Sequence, residues 1–228
     1  MNDTAVEFGQ AALSAVCETA LFRGYSKEEA TVLCSSMQPN FKLCPKGSMI
    51  LSEGAPAQRI GFVQSGIISA TRNSSDGQAH ILEFHESGEL IALDSVCGSK
   101  QTSLVTYTAL EDSVVLLLNL EQILSGGVKP FVSNLFLRNV TQLLADKCDQ
   151  LLSKTELLSK RALRDRIMTF LRIMQRQKGG KPSHLRMDRE QLAQYLCVNR
   201  SALSRELHEM QRDGLIRLEE NGRITMRQ

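Results

Sequence analysis

Four textures follow one another along the chain. From residue 5 to 38, Val6, Leu13, Val16, Leu21, Leu33 and Met37 recur at roughly helical spacing, with a break at Arg23-Gly24-Tyr25-Ser26. This spacing predicts two short helices, the second opened by a Ser26/Glu29 capping box and closed ahead of Pro39. From Phe41 to Leu120 the segments become short, apolar and rich in Ile, Val and Leu, punctuated by Gly47, Gly54, Gly61, Gly66, Gly77, Gly88 and Gly98. Such punctuation predicts roughly eight short strands closed into a sandwich or barrel, a jelly-roll count. Ser75-Asp76-Gly77 reads as a hairpin turn between strands Ile67–Arg72 and Ala79–Phe84, because Asp-Gly supplies positive φ readily.

Residues 131–158 return to helix. Leu137, Leu144, Leu151 and Leu158 fall in one heptad register with Val140 and Leu143 beside them, a seam for a parallel partner helix. Lys147 and Lys154 interrupt the second core position, so the seam is not a full zipper. A helix over Arg161–Gln177 follows, with Leu163, Ile167, Phe170, Leu171 and Met174 on one face, and then a loop at Lys178-Gly-Gly-Lys-Pro182. Asp188–Leu196, a break at Cys197-Val198, and Asn199–Gly214 read as two helices across a tight turn. Leu215–Leu218 and Arg223–Met226 read as strands around the Asn221-Gly222 turn. Helix, turn, helix and hairpin wing is an arrangement that sets one helix in a DNA major groove. The expected architecture is α+β. An N-terminal double-stranded β-helix jelly roll with leading helices spans 1–129, a dimerisation helix 130–158 and a winged helix-turn-helix 159–228.

Charge strengthens this division. Residues 160–228 carry 16 Lys and Arg against 8 Asp and Glu, whereas residues 1–159 carry 11 against 17. A basic C-terminal end is the electrostatic footprint of phosphate contacts and points to double-stranded DNA as partner. No apolar run approaches the roughly 20 residues that span a bilayer. The start Met1–Gln10 is acidic and polar rather than signal-like, so the expected location is cytoplasmic, away from membranes. Cys17, Cys34, Cys44, Cys97, Cys148 and Cys197 form no C-x-x-C pair, which disfavours zinc and iron–sulfur ligation and suits small buried core residues. The four histidines sit in unrelated contexts, and no nucleophile elbow, phosphate loop or carboxylate pair is present, so an enzyme is not expected.

The second helix of the helix-turn-helix is the candidate reader. Its register exposes Arg200, Ser201, Ser204 and Arg205 and turns Leu203, Leu207 and Met210 toward a core. Each arginine can pair bidentately with guanine O6 and N7, while the serines reach bases or phosphate. Asn199 caps the helix, and Arg189, Arg217 and Arg223 are candidate phosphate contacts from the first helix and the wing.

Lys46-Gly47, Ile50, Glu53-Gly54, Phe62-Val63, Ser65-Gly66-Ile67, Ser87-Gly88-Glu89-Leu90 and Ala109-Leu-Glu-Asp-Ser113 stand ahead of this helix-turn-helix. In that order they resemble the Crp/Fnr family of bacterial transcription regulators, over roughly Phe41 to Met226. The resemblance implies a homodimer that senses a signal in its β-roll, joins through its long helices, contacts RNA polymerase and reorients two winged helices onto a palindromic operator. It also implies that Arg200 and Arg205 match the two arginines of the cyclic-AMP receptor branch, while Ser201 stands where that branch has Glu. A Glu would accept from cytosine N4; Ser discriminates far less.

The same resemblance places an effector pocket at Gly88, Glu89, Leu90, Ser103 and Leu104. The arginine that would pair with a cyclic phosphate falls on Ser103, so cyclic AMP is disfavoured. The family's N-terminal cysteine cluster is absent, and His80 and His85 of the β-roll read as strand-edge residues, so an iron–sulfur cluster and haem are disfavoured too. The effector is left as a small organic anion or a redox signal through Cys97 or Cys44. The alternative to a DNA switch is a β-roll and winged helix used for protein contacts.

Overall fold

The computed structural model describes residues 13–73, 79–125, 130–177, 188–219 and 224–226. The chain divides into two compact units, residues 1–72 with 82–146 and residues 73–81 with 147–228.

Eight strands form two four-stranded sheets, in the first unit except for residues 73 and 79–81. They are β1 (Asn40–Cys44), β2 (Met49–Leu51), β3 (Arg59–Ser65), β4 (Ile68–Asn73), β5 (Ala79–His85), β6 (Leu90–Ile91), β7 (Thr106–Ala109) and β8 (Ser113–Asn119). One sheet runs β1-β8-β3-β6 and the other β2-β7-β4-β5. This is the jelly-roll expectation. The period of two along a strand explains why β3 and β8 carry buried residues almost without interruption. Val63 and Val115 face the opposing sheet with Ile68, Ala70, Ile91, Tyr107 and Ala109. Ile60, Phe62, Leu116 and Leu118, one residue out of phase, face a helical layer. Gly61 is required where the layers close: a Cβ there would lie 2.6 Å from Ile91 Cγ1 and 2.9 Å from Val115 Cγ1.

The helical layer is built from a stretch at 13–17 (α1), a 3-10 turn Ala20–Phe22, α2 (Lys27–Ser36) and the first half of a later long helix. Ser26 caps α2 through the expected capping box: Glu29 N–H donates to Ser26 Oγ at 3.2 Å and Ser26 N–H to Glu29 Oε2 at 2.8 Å. Two short helices, α3 (Leu93–Cys97) and α4 (Glu121–Leu124), interrupt and follow the strands. The long helix α5 spans Pro130–Ser159, as the leucine heptads indicate. Asn139 ties α5 to the layer, its Nδ2 donating to the Leu21 carbonyl at 3.0 Å and the Arg23 carbonyl at 2.8 Å.

The second unit holds the end of α5, α6 (Leu163–Gln177), α7 (Arg189–Tyr195), α8 (Arg200–Arg212) and a hairpin of β9 (Ile216–Leu218) and β10 (Ile224–Met226). Leu157, Ile167, Phe170, Leu171, Leu192, Leu196, Leu203, Leu207, Met210, Ile216 and Ile224 share one core. The predicted faces of α6 and α8 are therefore the buried ones. The predicted turn at Ser75–Gly77, the loop 178–182 and the Asn221-Gly222 turn lie outside the described residues.

Candidate nucleic-acid interface and the cavity of the roll

Local sequence sets the helix-turn-helix. Asp188 opens α7 by accepting from Gln191 N–H at 2.8 Å, and Gln191 Oε1 accepts from Asp188 N–H at 3.0 Å. The chain then turns through Leu196 and Cys197, whose φ of 54° is the left-handed value that reverses direction in one residue. Val198 N–H closes the turn on Ala193 O at 3.0 Å. Asn199 occupies the N-cap of α8, but no side-chain cap bond is made there, so its amide does not serve the expected capping role.

Burial splits α8 cleanly. Leu203, Leu207 and Met210 are each 0% exposed, while Arg200, Ser201 and Arg205 are exposed and Ser204 half-exposed on the opposite side. Arg205 folds back, Nε donating to Ser201 O at 3.4 Å, a weak bond that leaves its fork of donors outward. One acidic group of α8, Glu206, is tied to α6. Arg164 of α6 bonds Glu206 Oε1 at 2.7 Å and, just past α8, Asp213 Oδ2 at 2.8 Å. The Glu206 bond first, then the Asp213 bond, raises the Arg164 pKa. One guanidinium thereby offsets one of the two negative charges that would repel phosphate beside the arginines. Arg166 braces the turn as well, Nε donating to Lys160 O at 2.8 Å and Nη1 to Leu196 O at 3.4 Å. Neither arginine was singled out from sequence; an Arg in the α6 face opposite its apolar stripe was the only trace.

Arg189, at the first residue of α7, is half-buried, and burial lowers its pKa. Its Nη1 is enclosed without a hydrogen-bond partner among the described residues. Arg217 is exposed on β9, and Arg223 lies outside the described residues.

The roll contains a cavity of about 180 Å³ lined by Ile50, Leu51, Ala57, Gly61, Ile91, Ala92 and Leu117, with Pro56, Gln58 and Arg59 at its wall. None of Gly88, Glu89, Leu90, Ser103 and Leu104 lines this cavity. Gly88 and Glu89 instead make the turn before β6. Gly88 N–H donates to Val63 O at 2.8 Å, Val63 N–H to Glu89 O at 2.9 Å, and the Glu89 carboxylate accepts from Glu86 N–H at 2.9 Å. Burial, only partly offset by that bond, raises the Glu89 pKa. Leu90 pairs with Phe62, Ser103 donates its hydroxyl to Val105 O at 2.7 Å, and Leu104 is 57% exposed. Local turn chemistry, invisible in a motif match, claimed these residues. Arg59 is the cation of the cavity wall, and its Nη1 donates to Gln38 O at 3.1 Å. Among the described residues no group of three or more His, Cys, Asp or Glu side chains could hold a metal ion. Cys44 and Cys97, the expected redox residues, belong to different cores, and burial raises both thiol pKa values.

The long helix departs from its expected seam in one row. Val140 is 5% exposed in the first unit's core, and Lys154 is 8% exposed, donating to Ile81 O at 2.7 Å with its Nζ 3.6 Å from the Tyr195 ring centroid. That row faces inward, so it is not the second core position of a seam. The exposed row holds Leu137 at 40% and Leu151 at 43%, with Thr141, Cys148 and Thr155 between and beyond them. Leu144 and Leu158 are half-buried, each against its own unit's core.

Comparison with known proteins agrees with this architecture. The cyclic nucleotide-binding domain family matches residues 41–125, and the Crp-like helix-turn-helix domain family matches residues 165–228. The chain is 29% identical over 199 residues to the cyclic AMP receptor protein of Thermus thermophilus, covering 87% of this chain and 88% of that one. It is 27% identical over 178 residues to the electron transport regulator A of Shewanella oneidensis, covering 75% and 68% respectively. The solved structure of FixK2 from Bradyrhizobium japonicum superposes with a TM-score of 0.71 at 21% identity, covering 83% of this chain and 93% of that one. With a β-roll of the cyclic nucleotide-binding type ahead of a DNA-binding helix-turn-helix, the chain belongs to the Crp/Fnr family of transcription regulators.

Proposed function

We propose that the protein is a homodimer that reads a palindromic operator under control of a small effector other than cyclic AMP, acts through RNA polymerase and catalyses no reaction. The observation that carries the DNA reading is the outer face of α8. Arg200, Ser201, Ser204 and Arg205 line it, its back is core, and Arg164 pairs with Glu206 and Asp213, offsetting one of their two negative charges. Arg189 supports phosphate clamping, since an enclosed guanidinium nitrogen lacking a partner gains most from an anion. Arg217 and Arg223 add contacts from the wing. The exposed leucines Leu137 and Leu151 support a two-fold partner along α5, which matches a two-fold site.

The effector reading follows from size and charge. A cavity of about 180 Å³ lies below the roughly 300–1,000 Å³ of drug-sized sites, and its lining is mainly aliphatic. The position for a phosphate-pairing cation is Ser103, whose hydroxyl is spent on Val105. A small, mostly apolar molecule fits, with Arg59 available to an acidic end. No helix among the described residues is long and apolar enough to cross a membrane.

Selection from random double-stranded DNA tests the reading. The expected product is an inverted repeat containing guanine, relaxed at the base facing Ser201. Ser201→Glu should shift that base toward cytosine. Arg200→Ala with Arg205→Ala should abolish selective binding, and unchanged mobility on the selected site would overturn the proposal. Mild oxidative crosslinking reads the dimer through Cys148: a covalent dimer that Cys148→Ser removes is expected.

A further inference from the structure

One lysine of the long helix turns its charge into the protein instead of out to solvent. Lys154 lies on α5 and is 8% exposed. Its Nζ donates to Ile81 O of β5 at 2.7 Å and stands 3.6 Å from the centroid of the Tyr195 ring. The long stem of a lysine ordinarily carries the ammonium back to water. Withdrawing that charge costs free energy unless polar partners replace the water, and a site that needed only packing would be filled as well by Leu or Met. Here the partners are a carbonyl, in a bond shortened by the charge of its donor, and the face of an aromatic ring. All three residues belong to the second unit.

The ring beneath the ammonium stands at a pivot. Tyr195 is the last residue of α7. Leu196 and the left-handed Cys197 follow it directly, and the Val198 N–H to Ala193 O bond ties this turn to α7 before α8 begins. Phe170 of α6, 0% exposed, packs against the same ring with centroids 5.3 Å apart. One turn further along α5, Leu157 is 0% exposed in the core shared with α6, α7 and α8. Residues three apart lie on one face of a helix, about 4.5 Å apart along its axis. Leu157 alone is a non-directional apolar contact, about which the helix-turn-helix can swivel on the end of α5. Lys154 adds a second point, and a directional one, because the cation is held over a ring face and along a carbonyl.

We infer that Lys154 is a positioning residue for operator reading: through Tyr195, its ammonium fixes the angle of the helix-turn-helix on the end of α5. The inference rests on the two-fold reading proposed above. Two reading helices carried on paired α5 helices meet half-sites a helical turn apart only if each keeps its angle to α5. A helix-turn-helix that swivels still binds one half-site, because the arginine face of α8 is unaltered. It populates less of the arrangement that engages both half-sites at once, and the apparent affinity for the pair falls by that fraction. Ile81 O, held by the same ammonium, makes strand β5 part of the fastening.

The test uses the full chain, the inverted repeat recovered by selection, and a duplex that keeps only one half of it. Lys154→Met retains an apolar stem and removes the charge, whereas Lys154→Arg retains a cation that donates and stacks on a ring. By fluorescence anisotropy the Met variant should bind the inverted repeat about ten- to a hundredfold more weakly, one contact being lost in each protomer, yet stay within about twofold of the parent on the half-site. The Arg variant should recover most of the loss. Tyr195→Leu, which removes the ring face from the other side, should reproduce the Met pattern. An unchanged or increased ratio of full-site to half-site affinity in the Met and Leu variants would overturn the inference. So would equal losses on both duplexes, the mark of a merely structural role. A parent that binds the two duplexes alike overturns the two-fold reading and this inference with it; parental preference with an unchanged ratio in the variants overturns this inference alone.

Discussion

Asn139 offers a sharp test of how the helical layer is fastened to α5. The side chain is 1% exposed and supplies both Nδ2 hydrogens to carbonyls of the layer, Leu21 O at 3.0 Å and Arg23 O at 2.8 Å. Asn139→Ala leaves two acceptors without their donor. Each buried orphan costs about 1–3 kcal/mol, and the Arg23 bond, only partly buried, belongs at the lower end. The sum is about 2–5 kcal/mol, or a Tm lowered by roughly 5–15 °C for a chain of this size. Asn139→Asp is nearly isosteric yet worse at neutral pH, because an ionised carboxylate faces two carbonyl oxygens and donates to neither. Its protonated form recovers one donor. Burial and the carbonyls therefore raise the Asp pKa in the folded state above the unfolded value of about 3.9. The folded chain holds the proton more tightly, so stability of the Asp variant falls as pH rises from that value through the folded one. Urea unfolding at pH 5 and pH 7, followed by circular dichroism, reads both effects. An Ala variant within about 1 kcal/mol of the parent, or an Asp variant equally stable at both pH values relative to the parent, would refute the bonding scheme.

Three further outcomes are expected. Leu207→Ala, at a residue 0% exposed in the second unit's core, should cost about 2–5 kcal/mol in chemical denaturation, with DNA affinity falling in step with the folded fraction. Gly61→Ala should overpack the roll by about 1–3 kcal/mol, since its Cβ would press on Ile91 and Val115, and calorimetry should show weaker uptake of any ligand of the adjoining cavity. Glu89→Gln keeps an acceptor for Glu86 N–H but cannot ionise. The Glu89 pKa is raised above 4.5, so ionisation penalises the folded chain as pH climbs through the raised value; the variant's stability relative to the parent should increase between pH 4 and pH 7.

Much of the architecture was legible in one dimension. Short apolar runs and glycine punctuation are local signals, and they mark the strands because each strand must bury at least one face. Seven-residue leucine spacing marked α5, and the Ser26 capping box and the predicted helix start at Asp188 placed helix starts to within a residue. The outward arginines of α8 were readable too, because helical register fixes which residues share a face once Leu203, Leu207 and Met210 are taken as core.

What stayed hidden depends on partners remote in sequence. The turn that Gly88 and Glu89 make rests on the backbone of Val63, on a strand twenty-five residues earlier, which the motif Gly88-Glu89-Leu90 does not reveal. Val140 and Lys154 fit a heptad, yet packing turned that row inward, because one helix offers two neighbouring stripes and only the surrounding cores decide which is covered. The sequence alone determined the order of elements, the sign of charge at each end and the residues on the reading helix, since these follow from periodicity and composition. Tertiary structure alone decided which acids pair with Arg164 and where the roll leaves a cavity, since each is a matter of distance between segments that the chain itself keeps apart.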